Sequence, residues 1–313
     1  MVHLVFIHGI NNQKLYPSEI RETWWGHLVD GWRKHEFGPI PERPKITVGY
    51  YAQRLYAACH KKPFLTDDPN SELPPLDLES LVQMGGESLD TSGDGISFLR
   101  EYAAANNIMI PEEEVQEQGA LRRNLIKLGD WLAKRLPDDL SKDVASKFLG
   151  QAAVYCDSLG LRRGIERQMI QLISGETDLM EPITSFGSEP IVIVTHSLGT
   201  VVGFRMLLSD AFDSARIPLF ATLGSPLSAQ FIQNSLDKDP LRFPRPHVEN
   251  WVNVYDREDV VTLGNSLMEK EIGFSGVSNH PTQEYEKGDG RHAVGPHLRT
   301  REVSEAIFYA LRG

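Results

Sequence analysis

Five short runs of consecutive apolar residues, rich in β-branched side chains, punctuate the chain at 2–7, 46–51, 191–195, 219–223 and 251–255. Runs of this length without polar alternation are what strands buried on both faces of a parallel sheet require. Between them the apolar positions recur at helical spacing. The stretch 18–35 carries Trp24, Trp25, Leu28 and Trp32, 198–212 is apolar almost throughout, and 301–311 sets Val303, Ile307 and Leu311 on one face. Strands alternating with helices predict a doubly wound, mostly parallel α/β sheet.

The connection between the second and third strands, 53–189, is too long for a plain loop. Its part 67–95 reads as irregular, with Asp67-Asp68-Pro69-Asn70, Pro74-Pro75, Gly85-Gly86 and Ser92-Gly93-Asp94-Gly95 as punctuation. Residues 96–174 read as mostly helical, with Leu121, Leu125, Leu128, Leu132 and Leu136 in one apolar stripe. The predicted organisation is a core of 1–52 and 190–313 carrying a mainly helical cap or lid over 53–189. The alternative for the insertion is a peripheral decoration whose stripe is used up in packing.

The 313 residues are 41% hydrophobic, enough for a well-buried core, and 43 acidic against 32 basic side chains give a formal charge of -11. That balance, with no basic patch interleaved with aromatics, argues against nucleic acid and anionic lipid as partners. Cys59 and Cys156 stand far apart and outside any metal-ligand spacing, which predicts free buried thiols and no metal. No window reaches the roughly 18 apolar residues of a membrane helix. Met1 is followed at once by Val-His-Leu-Val-Phe-Ile-His-Gly, which lacks the pattern of a secretory leader, so the expectation is a cytoplasmic protein without an integral membrane segment. Oligomeric state is left open.

The chemistry concentrates in Ile191-Val192-Ile193-Val194-Thr195-His196-Ser197-Leu198-Gly199-Thr200. A strand that turns sharply at a serine and enters a helix is a nucleophile elbow, which lifts the hydroxyl above the sheet. Gly199 meets the requirement for a small residue two positions after the serine, whereas Thr195 stands where the G-x-S-x-G pattern has its first glycine. The competing reading of Ser197 is a helix-capping serine. Leu198 N–H, at a helix N-terminus, is one candidate oxyanion donor, and Ile10 N–H in His8-Gly9-Ile10-Asn11-Asn12 is the second. An ordinary strand-end turn would use the same glycine and asparagines.

In their order along the chain, the strand ending in His-Gly, the strand–His-Ser-x-Gly–helix, the later carboxylates and the later histidines resemble the α/β-hydrolase family, in particular its lipase and esterase branches. The resemblance covers 1–52 and 190–313 and leaves the insertion unmatched. It implies an α/β-hydrolase fold that lacks the first two strands of the family, so that the first strand here corresponds to the third there. It also implies a Ser-acid-His triad. The family's acid follows the strand of Trp251-Val252-Asn253-Val254-Tyr255, and Asp259, followed by two valines, is preferred there over Asp256. Chain order then leaves His280, His292 and His297 as bases. His292, in the small-residue loop Gly288-Asp289-Gly290-Arg291-His292-Ala293, is preferred; His297 is the alternative base and His280 reads as a surface residue. His8 and His196 read as supporting or packing residues, and Ser225 in Leu223-Gly224-Ser225-Pro226 as support near the acid.

The function expected from these residues is cofactor-free hydrolysis of a carboxylic ester through an acyl-enzyme, with a small-molecule or lipid ester as substrate. The leucine stripe tilts the expectation slightly toward an apolar acyl chain. The alternatives are amidase, peptidase or thioesterase action by the same triad, a non-catalytic binding module, and a toxic lipase effector.

Overall fold

The computed structural model describes residues 2–60, 94–118, 122–137, 142–175, 189–229, 232–233, 247–263, 276–282, 284–287 and 289–313. Six parallel strands form one sheet: β1 (His3–Ile7), β2 (Lys45–Gly49), β3 (Ile191–His196), β4 (Leu219–Leu223), β5 (Trp251–Tyr255) and β6 (Val277–Pro281). Their order across the sheet is β2-β1-β3-β4-β5-β6. The central strands are mostly apolar because both of their faces are covered, and their buried polar side chains pair with one another or with main chain, as Thr222 Oγ1 does in donating to Asn253 Oδ1. Val5, Ile7, Ile193, Phe220 and Trp251 belong to one hydrophobic cluster, and Leu4, Phe6, Val192, Val194, Ala221 and Val254 to the other.

The second cluster is closed by α1 (Pro17–Lys34), α9 (Val294–Arg299) and α10 (Arg301–Ala310). Helix α1 lies directly on the last two helices: a Cβ on Gly31 would stand 2.4 Å from Ser304 Oγ, and Trp32 Nε1 donates to Ser304 O at 2.8 Å. The first cluster is closed by α8 (Leu198–Leu207) together with the helices of the long connection. Those helices are α2 (Ala52–His60), α3 (Asp94–Ala105), α4 (Glu112–Gln118), α5 (Arg122–Ala133), α6 (Lys142–Asp157) and α7 (Leu159–Ser174). Helices α5 and α6 meet where Gly129 faces Gly150, a Cβ on Gly129 falling 2.7 Å from Gly150 N. Helix α7 packs against β2 and α8 and is tied to the sheet edge by Gln168 Nε2, which donates to Tyr50 O at 2.8 Å.

An α/β fold with a parallel sheet flanked by helices is therefore what the apolar patterning predicts, with element ends displaced by a residue or so. Three differences have physical causes. The sixth strand, Val-Ser-Asn-His-Pro, is mostly polar because it is an edge strand whose side chains are half-buried or exposed, so it gives no apolar signal. The helix after the serine stops at Leu207, and Asp210–Phe212 forms a separate 3-10 turn capped by Ser209 Oγ. Leu125, Leu128, Leu132 and Leu136 of the leucine stripe are all buried inside the first cluster; Leu121 and residues 67–93 of the expected irregular stretch lie outside the described residues. Cys59 and Cys156 are both buried and free. No helix among the described residues is long and apolar enough to cross a membrane.

Candidate functional site

Consecutive strands β1 and β2 lie side by side, and the chain then returns across β1 to reach β3, so the sheet changes winding direction between β1 and β3. Clefts at such a switch point, beyond the carboxyl ends of parallel strands, are where α/β sheets hold ligands. Here the register puts Ile7 opposite Thr195, which brings the His8-Gly9 turn beside Ser197. The fit is close: a Cβ on Gly9 would stand 2.5 Å from Ser197 Cβ, and one on Gly199 2.3 Å from His8 O and 2.5 Å from Ile7 O. Glycine is required at 199 by main chain approaching main chain and at 9 by the approach of the Ser197 side chain.

Ser197 itself has φ 56° and ψ -132°, a conformation that costs a non-glycine residue on the order of 1–3 kcal/mol and persists only where the surroundings impose it. The surroundings here are specific. Ser197 N–H donates to Leu223 O at 2.9 Å, Thr200 Oγ1 donates to Ser197 O at 2.7 Å, and Ser225 Oγ donates in turn to Thr200 Oγ1 at 2.8 Å. Ser225 thus braces the turn at the serine and not the acid loop where the sequence suggests it. Thr195 fits at the missing first glycine for two reasons: its Oγ1 donates to Ala221 O at 2.9 Å, and its Cγ2 occupies space left by Gly203, where a Cβ would stand 2.8 Å away. The room lost on the strand is recovered on the helix.

Leu198 is the first residue of α8, a position whose N–H has no acceptor within the helix. On the facing turn, Asn12 Nδ2 donates to both Gly9 O (3.1 Å) and Ile10 O (2.8 Å), and His8 Nδ1–H also donates to Gly9 O (2.6 Å). Because a trans peptide directs its N–H opposite to its carbonyl, these bonds turn the Ile10 N–H away from Asn12. His8 is fully engaged in this turn: Nε2 accepts from Tyr51 N–H at 3.2 Å and the ring stacks on Tyr51. Burial pushes its pKa down from the usual 6.5 to about 4.

At the ends of β5 and β6 the two candidate acids separate. Asp259, whose side chain is 0% exposed, accepts from His292 Nδ1–H at 2.6 Å through Oδ2 and from Val261 N–H at 2.9 Å through Oδ1. Asp256 does not touch the imidazole. Its Oδ1 accepts from Glu258 N–H, and its Oδ2 lies 3.4 Å from Arg291 Nη1, while Arg291 Nη2 reaches Glu258 Oε2 at 2.5 Å. The His292 ring stands against Gly224, whose added Cβ would lie 3.2 Å from Nδ1 and Cε1. Gly224 has φ +55° and directly follows Leu223, the residue that accepts from Ser197 N–H.

Ser197 Oγ and His292 Nε2 are both buried, and neither has a hydrogen-bond partner among the described residues. The structure therefore joins the Asp259–His292 pair and places the serine and the pair on the same edge of the sheet, without a bond between Oγ and Nε2. Such bonds often close only with substrate in place. His297 points elsewhere: Nδ1–H donates to Ala293 O at 2.7 Å, and burial lowers its pKa. His280 sits on the edge strand, hydrogen-bonded to Ser278 Oγ.

Three contacts had no reading in the sequence. His196 Nε2–H donates to His292 O at 2.9 Å, Tyr102 Oη on α3 donates to Val260 O at 2.7 Å beside Asp259, and Gln151 Oε1 on α6 accepts from Asn11 N–H at 3.4 Å. The last two join residues separated by 158 and 140 positions, for which no local pattern exists. Among the described residues no cluster of His, Cys, Asp and Glu is arranged to hold a metal ion. Comparison with family models, with curated proteins and with solved structures finds no match.

Proposed function

We propose that the chain is a serine hydrolase of α/β-hydrolase type, cleaving a carboxylic ester through an acyl-enzyme. The observation that carries this reading is the buried Asp259–His292 bond, which leaves an unpartnered imidazole Nε2 on the same strand-end edge as an unpartnered, positive-φ Ser197. With Nδ1–H given to Asp259, the neutral ring has its lone pair on Nε2, the form that can take a proton from a hydroxyl. Ser197 Oγ then attacks the acyl carbon as His292 takes its proton and passes it to the leaving alkoxide; water, deprotonated by the same imidazole, next attacks the acyl-enzyme, releasing the carboxylic acid and returning the proton to Ser197. Asp259 keeps the tautomer and stabilises the imidazolium. Leu198 N–H, with Ile10 N–H as the second donor, takes the developing negative charge.

The strand order supports the reading further. With β1 counted as the third strand of the family, Asp259 follows the strand two after the one that carries Ser197, where the resemblance puts the acid, and His292 lies in the loop before the last helices. Asp259 is preferred to Asp256 on the hydrogen bond, and His292 to His297 for the same reason. The leucine stripe no longer favours an apolar acyl chain, since its described members are used up in packing. Ester, thioester and amide substrates share this apparatus.

Treatment of the purified protein with a fluorophosphonate, followed by mass spectrometry, tests the proposal. Label is expected on Ser197, absent in Ser197→Ala and strongly slowed in His292→Ala. An unlabelled wild-type protein that also fails to hydrolyse p-nitrophenyl esters would overturn it in favour of a binding module. Relative rates on p-nitrophenyl esters and the matching anilides then separate esterase from amidase.

A further inference from the structure

Resting on the serine hydrolase reading, we propose that His196, the residue immediately before the nucleophile, is a positioning residue that holds the base His292 in register with Ser197 through a hydrogen bond to its backbone. His196 ends β3, so its backbone is fixed by the same strand and the same turn that fix Ser197. Its Nε2–H donates to His292 O at 2.9 Å, and the two rings lie 4.8 Å apart. The element that aims the hydroxyl thus grips the loop that carries the base.

The base loop needs such a grip. His292 comes from an irregular stretch between β6 and α9, and among the described residues its ring meets Asp259 through the hydrogen bond, Gly224 by contact and the His196 ring. A single hydrogen bond at Nδ1 leaves the ring free to pivot about Asp259. A second anchor at the main-chain oxygen of the same residue removes that freedom and sets where Nε2 points. The donor is also protected from charging: His196 is desolvated and faces His292, His297 and His8, and burial first, with those rings after it, holds its pKa well below 6.5. Near neutral pH it is therefore held as a neutral Nε2–H donor.

A packing role would be equally natural for a ring that meets Trp24 edge-on and lies 5.9 Å from His297, so the test has to separate the donor from the ring. Two substitutions do this in opposite ways. His196→Phe keeps an aromatic ring and removes the donor; His196→Gln removes the ring and keeps an amide N–H near the position of Nε2. The readouts are kcat and KM on p-nitrophenyl acetate, the rate of fluorophosphonate inactivation, and the downfield proton signal of His292 Nδ1–H.

If His196 positions the base, His196→Phe lowers kcat by about 100-fold, the cost of a misplacement near 1 Å, with KM little changed, and shifts or broadens the Nδ1–H signal. His196→Gln then recovers most of the rate. The proposal is overturned if His196→Phe reacts like wild type, or if His196→Gln is the worse of the two, which would assign His196 to packing. Wild type that reacts with neither ester nor fluorophosphonate is a different outcome: it overturns the hydrolase reading on which the proposal stands.

Discussion

The turn that carries Ser197 and the loop that carries His292 face the same site but are held in different ways. The serine turn is fixed first by backbone sterics, with the non-titrating hydroxyls of Thr200 and Ser225 bracing it. Gly9 lets the Ser197 side chain, and Gly199 the main chain, approach to distances at which any Cβ would collide, and Thr195 interlocks with Gly203. The histidine loop is fixed by polar side chains: Asp259 on the imidazole, His196 on the main-chain oxygen, Arg291 between Asp256 and Glu258, and Arg299 on Asp289. Steric positioning tolerates no added volume and is indifferent to pH and salt, whereas polar positioning tolerates shape changes and fails when a donor or acceptor is lost. The division suits the chemistry in the proposed reaction, where the nucleophile needs a strained, immobile backbone and the base needs a defined tautomer.

The contrast is sharpest at the two acids. Asp259→Asn is expected to lower kcat on a model ester by about 10⁴-fold with the fold retained, because an amide can hold the imidazole in the wrong tautomer. Asp256→Asn, whose carboxylate meets the histidine loop through the half-exposed Arg291 and not through the imidazole, is expected to cost about fivefold or less, the scale of an ion pair with one partner in solvent. Equal losses in both variants would end the distinction between them.

On the steric side, Gly199→Ala adds a Cβ 2.3 Å from a main-chain oxygen that cannot withdraw without moving β1. Overpacking of this kind costs about 3 kcal/mol, read as a fall in thermal midpoint or as loss of soluble protein. A variant as stable as wild type would show that the close approach is not what holds the turn.

Arg291→Ala removes the bridge from the histidine loop to Asp256 and Glu258. A fall in kcat of about fivefold, comparable to the loss at Asp256 and diminished at high salt, is expected from a partly exposed pair. Insensitivity of the wild-type rate to both the substitution and salt would place the loop's support elsewhere.

A further contrast is in stability against pH. His3 and His8 are held neutral by burial, each with a pKa lowered from 6.5 to about 4. In the unfolded chain they take up protons as pH falls below about 6.5, and in the folded chain not until about 4, so the unfolded state binds more protons in that window. Stability is therefore full above about pH 6.5 and declines as pH falls toward 4. Denaturant unfolding of wild type and His8→Asn between pH 7 and 4.5 should show a shallower decline in the variant; parallel curves would remove His8 from the account.

Much of this site could be read from local sequence. The turn at Ser197 is announced by an apolar strand, a glycine two residues on and an apolar helix, all within one stretch whose geometry is local. The choice between Asp256 and Asp259, three positions apart on one short turn, could not be settled there, because it depends on which carboxylate meets an imidazole 33 residues away. Nor could the role of Ser225, which turns toward Thr200, or the place of the polar edge strand 277–281, which lacks the apolar pattern by which the other strands are recognised.

By itself, then, the sequence of this protein determined the alternation of strands and helices, the apolar faces that must be buried, and the turn at Ser197 where a strand passes directly into a helix. These follow from the periodicity of side chains along a backbone and from what glycine and β-branched residues permit. Only the tertiary structure decided which acid and which histidine pair, that His196 reaches the loop of His292, and that Tyr102 and Gln151 of the inserted helices touch the turn of Asp259 and the turn after β1. A hydrogen bond depends on distance and direction between atoms, and for residues far apart in the chain those are set by how the layers pack.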